Sequence, residues 1–182
     1  LFTYEDLNLY LELLIAQKQF DKCINIFVEK GGIEVEEEYQ TIVDGDLIGE
    51  VTSPQIVNCN IPETLPIDLK TKLIICLIHL KAFNLVESYL NTMIANENVE
   101  TNGDIFLDIE EALTSESQHL EAFRLLTLLV NSENFSLPAV WLKYAECLVA
   151  LNKTAEAIKA YETVVKLAPQ HLNARITLAT LY

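Results

Sequence analysis

The sequence predicts an all-α protein built from stacked antiparallel helix pairs and interrupted by one acidic insertion. Three observations support this prediction. Apolar residues recur at intervals of three and four along most of the chain, which is the pattern of amphipathic helices. Seven of the ten glycines and prolines fall between residues 31 and 66, so helix breakers are rare elsewhere. Outside that segment, one pattern of small and aromatic residues returns at nearly constant spacing.

The first element is a helical hairpin over residues 1–30. Leu7, Leu11 and Leu14 form one apolar stripe, and a second stripe begins at Phe20 after a short polar segment. Two stripes joined by so short a connection predict an antiparallel helix pair.

The second element is the insertion over residues 31–66. It contains eight carboxylates and no Lys or Arg. Within it, residues 41–43 and 47–48 flank Asp44-Gly45, which predicts a β-hairpin. Two accounts of the insertion stay open. It is either a solvated excursion, tolerated because loop-closure entropy grows slowly with length, or an acidic arm that covers the first groove or meets a basic partner.

The remaining elements repeat one unit, which is clearest from Pro138 onward. Its small and bulky residues stand at positions 4, 8, 11, 20, 24 and 32 of the unit, namely Trp141, Ala145, Leu148, Ala157, Tyr161 and Pro169. This spacing resembles the tetratricopeptide repeat, whose period is about 34 residues. The two alanines let two helices approach closely, and the proline ends the second helix because it lacks an N–H.

Units in the same phase begin near Tyr4, Ile67, Gly103 and Pro138. The resemblance therefore implies a superhelix with a first hairpin over residues 1–30, the insertion, repeats over residues 67–102, 103–137 and 138–171, and the first helix of a further repeat over residues 172–182. Because the pattern stops in mid-unit at Tyr182, we expect the chain to be part of a longer array.

Composition limits the classes of function that this chain serves. Its 182 residues include 27 acidic side chains and 12 Lys or Arg, so the net charge is −15. Binding to nucleic acids and to anionic membranes depends on cationic side chains, so we expect no direct nucleic-acid contact and no membrane contact. The hydrophobic fraction of 51% is enough for a sizeable core.

Residues that carry chemistry in enzymes are few and scattered. Cys76 and His79 share one predicted helix face, but no further metal ligand lies near them in the sequence. The chain has no glycine-rich phosphate loop and no nucleophile elbow. We therefore predict no enzymatic activity, no cofactor and no metal. The cluster of Asp108, Glu110 and Glu111 is interpreted as the solvated face of a helix.

The tetratricopeptide resemblance also implies a partner-binding groove, lined by the first helix of each pair. The residues at the groove positions are Glu12, Asp68, Thr71, Ile75, Asp104, Leu107, Glu111, Leu142, Glu146 and Val149. This wall is apolar with carboxylates at intervals. We expect it to bind a basic, partly apolar protein segment, and changing Glu111 and Glu146 to Lys would test this.

Residues 65–80, 140–148 and 165–175 resemble one particular family, the tetratricopeptide subunit of general transcription factor IIIC, which serves RNA polymerase III. The likeness extends over about residues 62–182. It implies a nuclear scaffold that holds other factor IIIC subunits together and helps recruit initiation factor IIIB, with mostly indirect contact to DNA. Two alternatives stay open: an adaptor in another machine, such as a ubiquitin ligase or an RNA-processing assembly, and a spacer that binds nothing itself.

Overall fold

The protein is helical outside the insertion, as the sequence predicts. The computed structural model describes residues 1–39, 41–44, 47–51 and 54–182. They form two compact units, Leu1–Met93 and Ile94–Tyr182. The helices are α1 (Tyr4–Ala16), α2 (Phe20–Lys30), α3 (Ile67–His79), α4 (Phe83–Asn96), α5 (Val99–Ser115), α6 (His119–Val130), α7 (Pro138–Ala150), α8 (Thr154–Leu167) and α9 (Leu172–Leu181). Within the described ranges, no helix is both long enough and apolar enough to cross a bilayer.

In the first unit, the apolar stripes of α1, α2 and α3 face one another. Leu7, Leu11 and Phe27 are fully buried, as the helical periodicity requires. The α2–α3 contact includes the thiols of Cys23 and Cys76, which are both fully buried and hydrogen-bonded to each other. This hydrogen bond, together with burial, raises the pKa of the Cys76 thiol. Packing is therefore the role of both cysteines.

In the part of the insertion that the structure describes, four strands form two nested antiparallel pairs. The strands are β1 (Glu34–Glu38), β2 (Thr41–Asp44), β3 (Leu47–Val51) and β4 (Gln55–Asn60). The inner pair, β2 with β3, confirms the predicted hairpin, with Asp44 opposite Leu47. The turn residue Gly45 lies outside the described residues. The outer pair, β1 with β4, is an addition that the sequence did not predict.

Apolar anchors hold the outer strand pair against the helices. Ile33, Cys59 and Leu65 are 2%, 6% and 3% exposed, and they lie just before β1, within β4 and just before α3. The hydroxyl of Tyr89 on α4 donates a hydrogen bond to the carbonyl of Cys59. The base of the insertion is therefore part of the first unit, although most of its side chains on β1 are exposed.

A left-handed turn recurs between the two helices of each pair. Its single left-handed residue is Lys18, Lys81, Ser117 and Asn152 in successive pairs, with φ between 56° and 61°. In each turn this residue and the next donate their N–H groups to carbonyls of the preceding helix, which is the Schellman arrangement. These four positions have the same spacing as the predicted unit starts near Tyr4, Ile67, Gly103 and Pro138. The turns thus agree with the phase of the predicted repeats.

In the second unit, the close helix contact predicted for α7 and α8 is present. Ala145 and Ala157 are fully buried in one cluster, against which Trp141 packs. Tyr161 completes the cluster and is 4% exposed. The indole N–H of Trp141 donates to the Ser136 hydroxyl at 3.0 Å, so its polar atom is satisfied.

Helix α5 begins at Val99, four residues before the predicted unit start at Gly103, and its backbone is non-helical at Asn102. The extra turn has a specific attachment. The carboxylate of Glu100 accepts the backbone N–H groups of Glu133 and Asn134 at 2.8 and 3.0 Å, which ties the α6–α7 connection to α5.

Gly103 lies directly beneath the ring of Phe135, where a Cβ atom would overlap the ring. An alanine in an open helix would gain up to about 1 kcal/mol over glycine, but here the overlap dominates. We expect Gly103→Ala to lower the free energy of unfolding by about 1–3 kcal/mol, measured by urea denaturation. Asp104→Ala is the control, because Asp104 is exposed on the same helix and its replacement should change stability little. Equal stability of Gly103→Ala and the native protein would contradict this close approach.

Ser117 holds a left-handed backbone at φ 59°, which costs energy for any residue except glycine. We expect Ser117→Gly to raise the free energy of unfolding by about 0.5–1 kcal/mol. Glu116→Gly, at φ −97° in the same turn, should instead lower it. If both glycines destabilise the protein, the left-handed turn is not the conformation in solution.

Candidate functional site

In the first unit, the predicted groove positions lie on α1 and α3, which pack against each other. Glu12 and Asp68 are exposed and Ile75 is half-buried. The Glu12 carboxylate lies 3.4 Å from the Lys72 ammonium, so its charge is partly compensated by a neighbour on α3.

Thr71 requires a correction. Its side chain is 5% exposed, and its hydroxyl donates to the carbonyl of Ile67 at 2.8 Å. A hydroxyl that is buried against its own helix offers no surface to a partner. We therefore leave Thr71 out of the candidate surface.

In the second unit, the predicted positions lie on α5 and α7. Asp104 and Glu111 on α5 are exposed, as are Glu146 and Val149 on α7. Leu107, which lies between Asp104 and Glu111, and Leu142, which lies one turn before Glu146, are half-buried. Both helices therefore carry exposed carboxylates as well as a half-buried leucine.

Glu110 was predicted to lie on a solvated helix face, and this prediction was wrong. Its side chain is only 2% exposed. One carboxylate oxygen, Oε1, accepts a hydrogen bond from the Thr114 hydroxyl at 2.8 Å. The other, Oε2, lies 3.3 Å from the ammonium of Lys143 on α7. Burial of a carboxylate is costly unless such partners accompany it, so these contacts explain how α5 accommodates the charge.

A pocket of about 210 Å³ lies beside Glu110, where α5, α6 and α7 meet. We call it the Glu110 pocket, and its lining residues are Glu110, Thr114, His119, Lys143, Glu146 and Cys147. Two helices of one repeat and the first helix of the next therefore meet at it. One of the predicted groove residues, Glu146, belongs to this lining, so the pocket adjoins the candidate surface.

Cys147 joins two walls of the Glu110 pocket. Its thiol donates to the carbonyl of His119 at 3.2 Å and so links α7 to the start of α6. Burial, together with the nearby Glu110 charge, raises the pKa of the Cys147 thiol to about 11. The group is therefore a neutral hydrogen-bond donor at pH 7 and not a thiolate nucleophile.

A second depression of about 350 Å³ lies in the first unit, between β4 and the turn from α3 to α4. Ile56 and Val57 line it on the strand side, and Leu80, Lys81 and Phe83 line it on the helix side. The sequence did not indicate this depression because the outer strand pair was not predicted.

The three histidines lie in different parts of the fold. His79 stacks on the Phe20 ring, with centroids 4.3 Å apart, and His171 accepts the backbone N–H of Ala174 at the start of α9. His119 lines the Glu110 pocket. Among the residues that the structure describes, no three His, Cys, Asp or Glu side chains are grouped as metal ligands.

Comparison with known proteins gives three findings. A family model of the tetratricopeptide repeat matches residues 138–181. Human "General transcription factor 3C polypeptide 3" is 41% identical over 181 residues, which is 100% of this chain and 20% of that protein. "Transcription factor tau 131 kDa subunit" of the yeast Saccharomyces cerevisiae is 28% identical over 119 residues, which is 65% of this chain and 11% of that protein. The chain thus spans a fifth or less of the length of these relatives.

The raised pKa of Cys147 predicts a pH dependence of stability. Between the ordinary thiol pKa of about 8.5 and the folded value of about 11, the unfolded chain loses the proton while the folded chain keeps it. The free energy of unfolding should therefore fall as the pH rises through this window. We expect Cys147→Ser, which keeps the donor to His119 without ionising, to lose less stability than the native protein there. Urea titrations at pH 8 to 11 would measure this, and parallel curves for the two proteins would contradict it.

Proposed function

We propose that this chain, which has tetratricopeptide-type helix pairs and a sequence similar to subunits of general transcription factor IIIC, is a protein-binding scaffold segment of such a complex. The observation that carries this proposal is the 41% identity to the human relative over the entire chain. The match includes the insertion as well as the helix pairs, and it therefore reaches beyond what a shared repeat pattern alone requires.

The architecture suits a scaffold because the packing that stabilises the helix pairs also leaves one face of each pair free for binding. A helix pair buries one face against its neighbours, and its first helix keeps another face accessible. On α1, α3, α5 and α7 that accessible face carries the predicted groove residues, apart from the buried Thr71. The exposed carboxylates lie beside half-buried Ile75, Leu107 and Leu142.

In each of the two units, this face has a chemistry that favours basic, partly apolar protein segments. A ligand with Lys or Arg next to apolar residues would complement both components, since charge complementarity steers association and apolar contact supplies binding free energy. The proposed partners are other subunits of factor IIIC and, for the finer role of recruitment, components of initiation factor IIIB. The net charge of −15 supports contact with DNA through those partners and not directly. The site of action of such a complex is the nucleus.

Affinity purification tests the proposal. Two tagged forms of the full-length protein, one with residues 1–182 and one in which they are deleted, are isolated from cells, and the proteins bound to each are identified. Loss of factor IIIC subunits on deletion is the expected result. Recovery of a ubiquitin ligase or RNA-processing machinery in their place, or an unchanged set of polymerase III factors, would contradict it.

A matched pair of charge reversals tests the surface itself. Glu111 lies on the candidate face of α5, whereas Glu133 is exposed in the connection after α6. We expect Glu111→Lys to weaken binding of the identified partner by about 3- to 10-fold at low salt, and less at high salt, because like charges then face each other across the interface. Glu133→Lys should leave affinity unchanged. Titration calorimetry measures both affinities, and equal effects of the two substitutions would contradict the proposal that this face of α5 binds the partner.

A further inference from the structure

The first unit contains an accessible depression that the proposed function does not use. Its volume is about 350 Å³, it lies between β4 and the turn from α3 to α4, and we call it the Lys81 depression. In its lining, Lys81 and Val57 are exposed, whereas Ile56, Leu80 and Phe83 are half-buried. The volume is near the lower end of the roughly 300–1,000 Å³ that is typical of ligand pockets. A ligand from solvent therefore reaches both a charge and an apolar surface there.

Hydrogen bonds hold both sides of the Lys81 depression in place. On the helix side, the backbone N–H groups of Lys81 and Ala82 donate to carbonyls of α3, each at 3.0 Å. On the strand side, the Tyr89 hydroxyl donates to the Cys59 carbonyl, which attaches β4 to α4. Because the depression is preformed in this way, binding there costs little conformational entropy.

The outer edge of β4 borders the Lys81 depression. Among the described strands, β4 pairs with β1 alone, and none of the lining residues belongs to β1. The depression therefore lies on the side of β4 that faces away from β1. Backbone N–H and C=O groups on such an unpaired edge are available to hydrogen-bond an extended peptide segment.

The charge of the Lys81 depression is opposite to that of the whole chain. Among the described residues of its lining, Lys81 alone is charged, whereas the net charge of the chain is −15. Within the described ranges, no carboxylate lies at ion-pair distance from the Lys81 ammonium. The acidic strand β1 is separated from a segment along the outer edge of β4 by two strand spacings of about 4.8 Å each. This distance is about one Debye length at 0.1 M salt, so the charges of β1 are substantially screened there.

The neighbouring α1–α2 turn adds further positive charge. The Phe20 ring stacks on His79 with centroids 4.3 Å apart, so this turn lies next to the end of α3. Lys18 and Lys22 are exposed and lie two residues before and after Phe20. Asp21 is the single acidic residue between them. The two lysines therefore extend the positive region beyond the depression.

We propose that the Lys81 depression binds an extended acidic segment of a partner protein, in which carboxylates flank one bulky apolar side chain. The apolar side chain packs against Ile56 and Phe83, while the carboxylates face Lys81 and the lysines of the neighbouring turn. A peptide is favoured over a nucleic acid because the phosphate backbone has no apolar group for the half-buried lining, and three lysines neutralise few phosphates. This surface differs in place and in sign from the predicted groove, so the inference goes beyond the scaffold proposal and does not rest on it.

NMR titration of the 15N-labelled 182-residue chain tests the inference. The probe is the acetylated and amidated peptide Asp-Asp-Phe-Asp-Asp, and the comparison peptides are Asp-Asp-Ala-Asp-Asp and Lys-Lys-Phe-Lys-Lys. We expect saturable shifts of the Val57, Lys81 and Asn84 amides with the probe, about 10-fold weaker binding of the alanine peptide, and no saturable shifts of these amides with the lysine peptide.

Four results would overturn the inference. They are the absence of saturable shifts at these amides with the probe, equal affinity for the alanine peptide, saturation of the same amides by the lysine peptide, and tighter binding of short single-stranded DNA than of the probe.

Two variants with matched controls assign the binding to the depression. Lys81→Gln removes the charge and should weaken binding of the probe by about 3- to 10-fold, whereas Lys166→Gln, at an exposed position on α8, should not. Val57→Asp places a carboxylate in the depression and should weaken binding by about 10-fold or more. Its control is Val28→Asp on α2, because Val28 is 46% exposed and Val57 is 43% exposed. Native affinity in Val57→Asp would overturn the inference even if Lys81→Gln fails to fold.

Discussion

A helical hairpin cannot bury both of its faces, and this constraint governs the rest of the structure. Each pair of helices gains a dry interior only from the next pair, so the connection between helices must deliver them at a repeated angle. The left-handed residue at Lys18, Lys81, Ser117 and Asn152 does this with the same two backbone hydrogen bonds each time. Stability, spacing and the presentation of first-helix surfaces are therefore consequences of one local geometry, in each of the two units.

The periodicity of apolar residues was sufficient to predict the helices. The close α7–α8 contact could also be predicted, because the small residues Ala145 and Ala157 stand at the repeat positions where two helices approach each other. Periodicity was not sufficient for the turns. Lysine and serine have no preference for a left-handed backbone, so Lys18, Lys81 and Ser117 gave no signal in the sequence. The outer strand pair could not be predicted for a related reason. Four of the five residues of β1 are glutamate, and its pairing depends on a partner strand about twenty residues away and not on its own composition.

The candidate surface shows the same division between local and tertiary information. Exposure of Glu111 and Glu146 follows from helix phase and could be predicted. The burial of Glu110 also follows from helix phase, since neighbouring residues on a helix differ by about 100° in direction. The prediction was wrong because it assumed that a carboxylate faces solvent. The signal that would have found it was its place at the small-residue position of the repeat. His119 joins the pocket only through the packing of α6 against α7, which no spacing in the sequence specifies.

The strand pair at the base of the insertion determines where the length of the chain can vary. The register places Glu38 opposite Gln55, and Cys59 is fastened to α4 by the Tyr89 hydroxyl, so the path of the chain is already closed at that level. The loop that joins β1 to β4 therefore begins and ends at a paired strand ladder. Because closing a longer loop costs only slightly more entropy, this loop is where evolution, or an engineer adding a fluorescent reporter, has latitude to vary length without disturbing the repeats on either side.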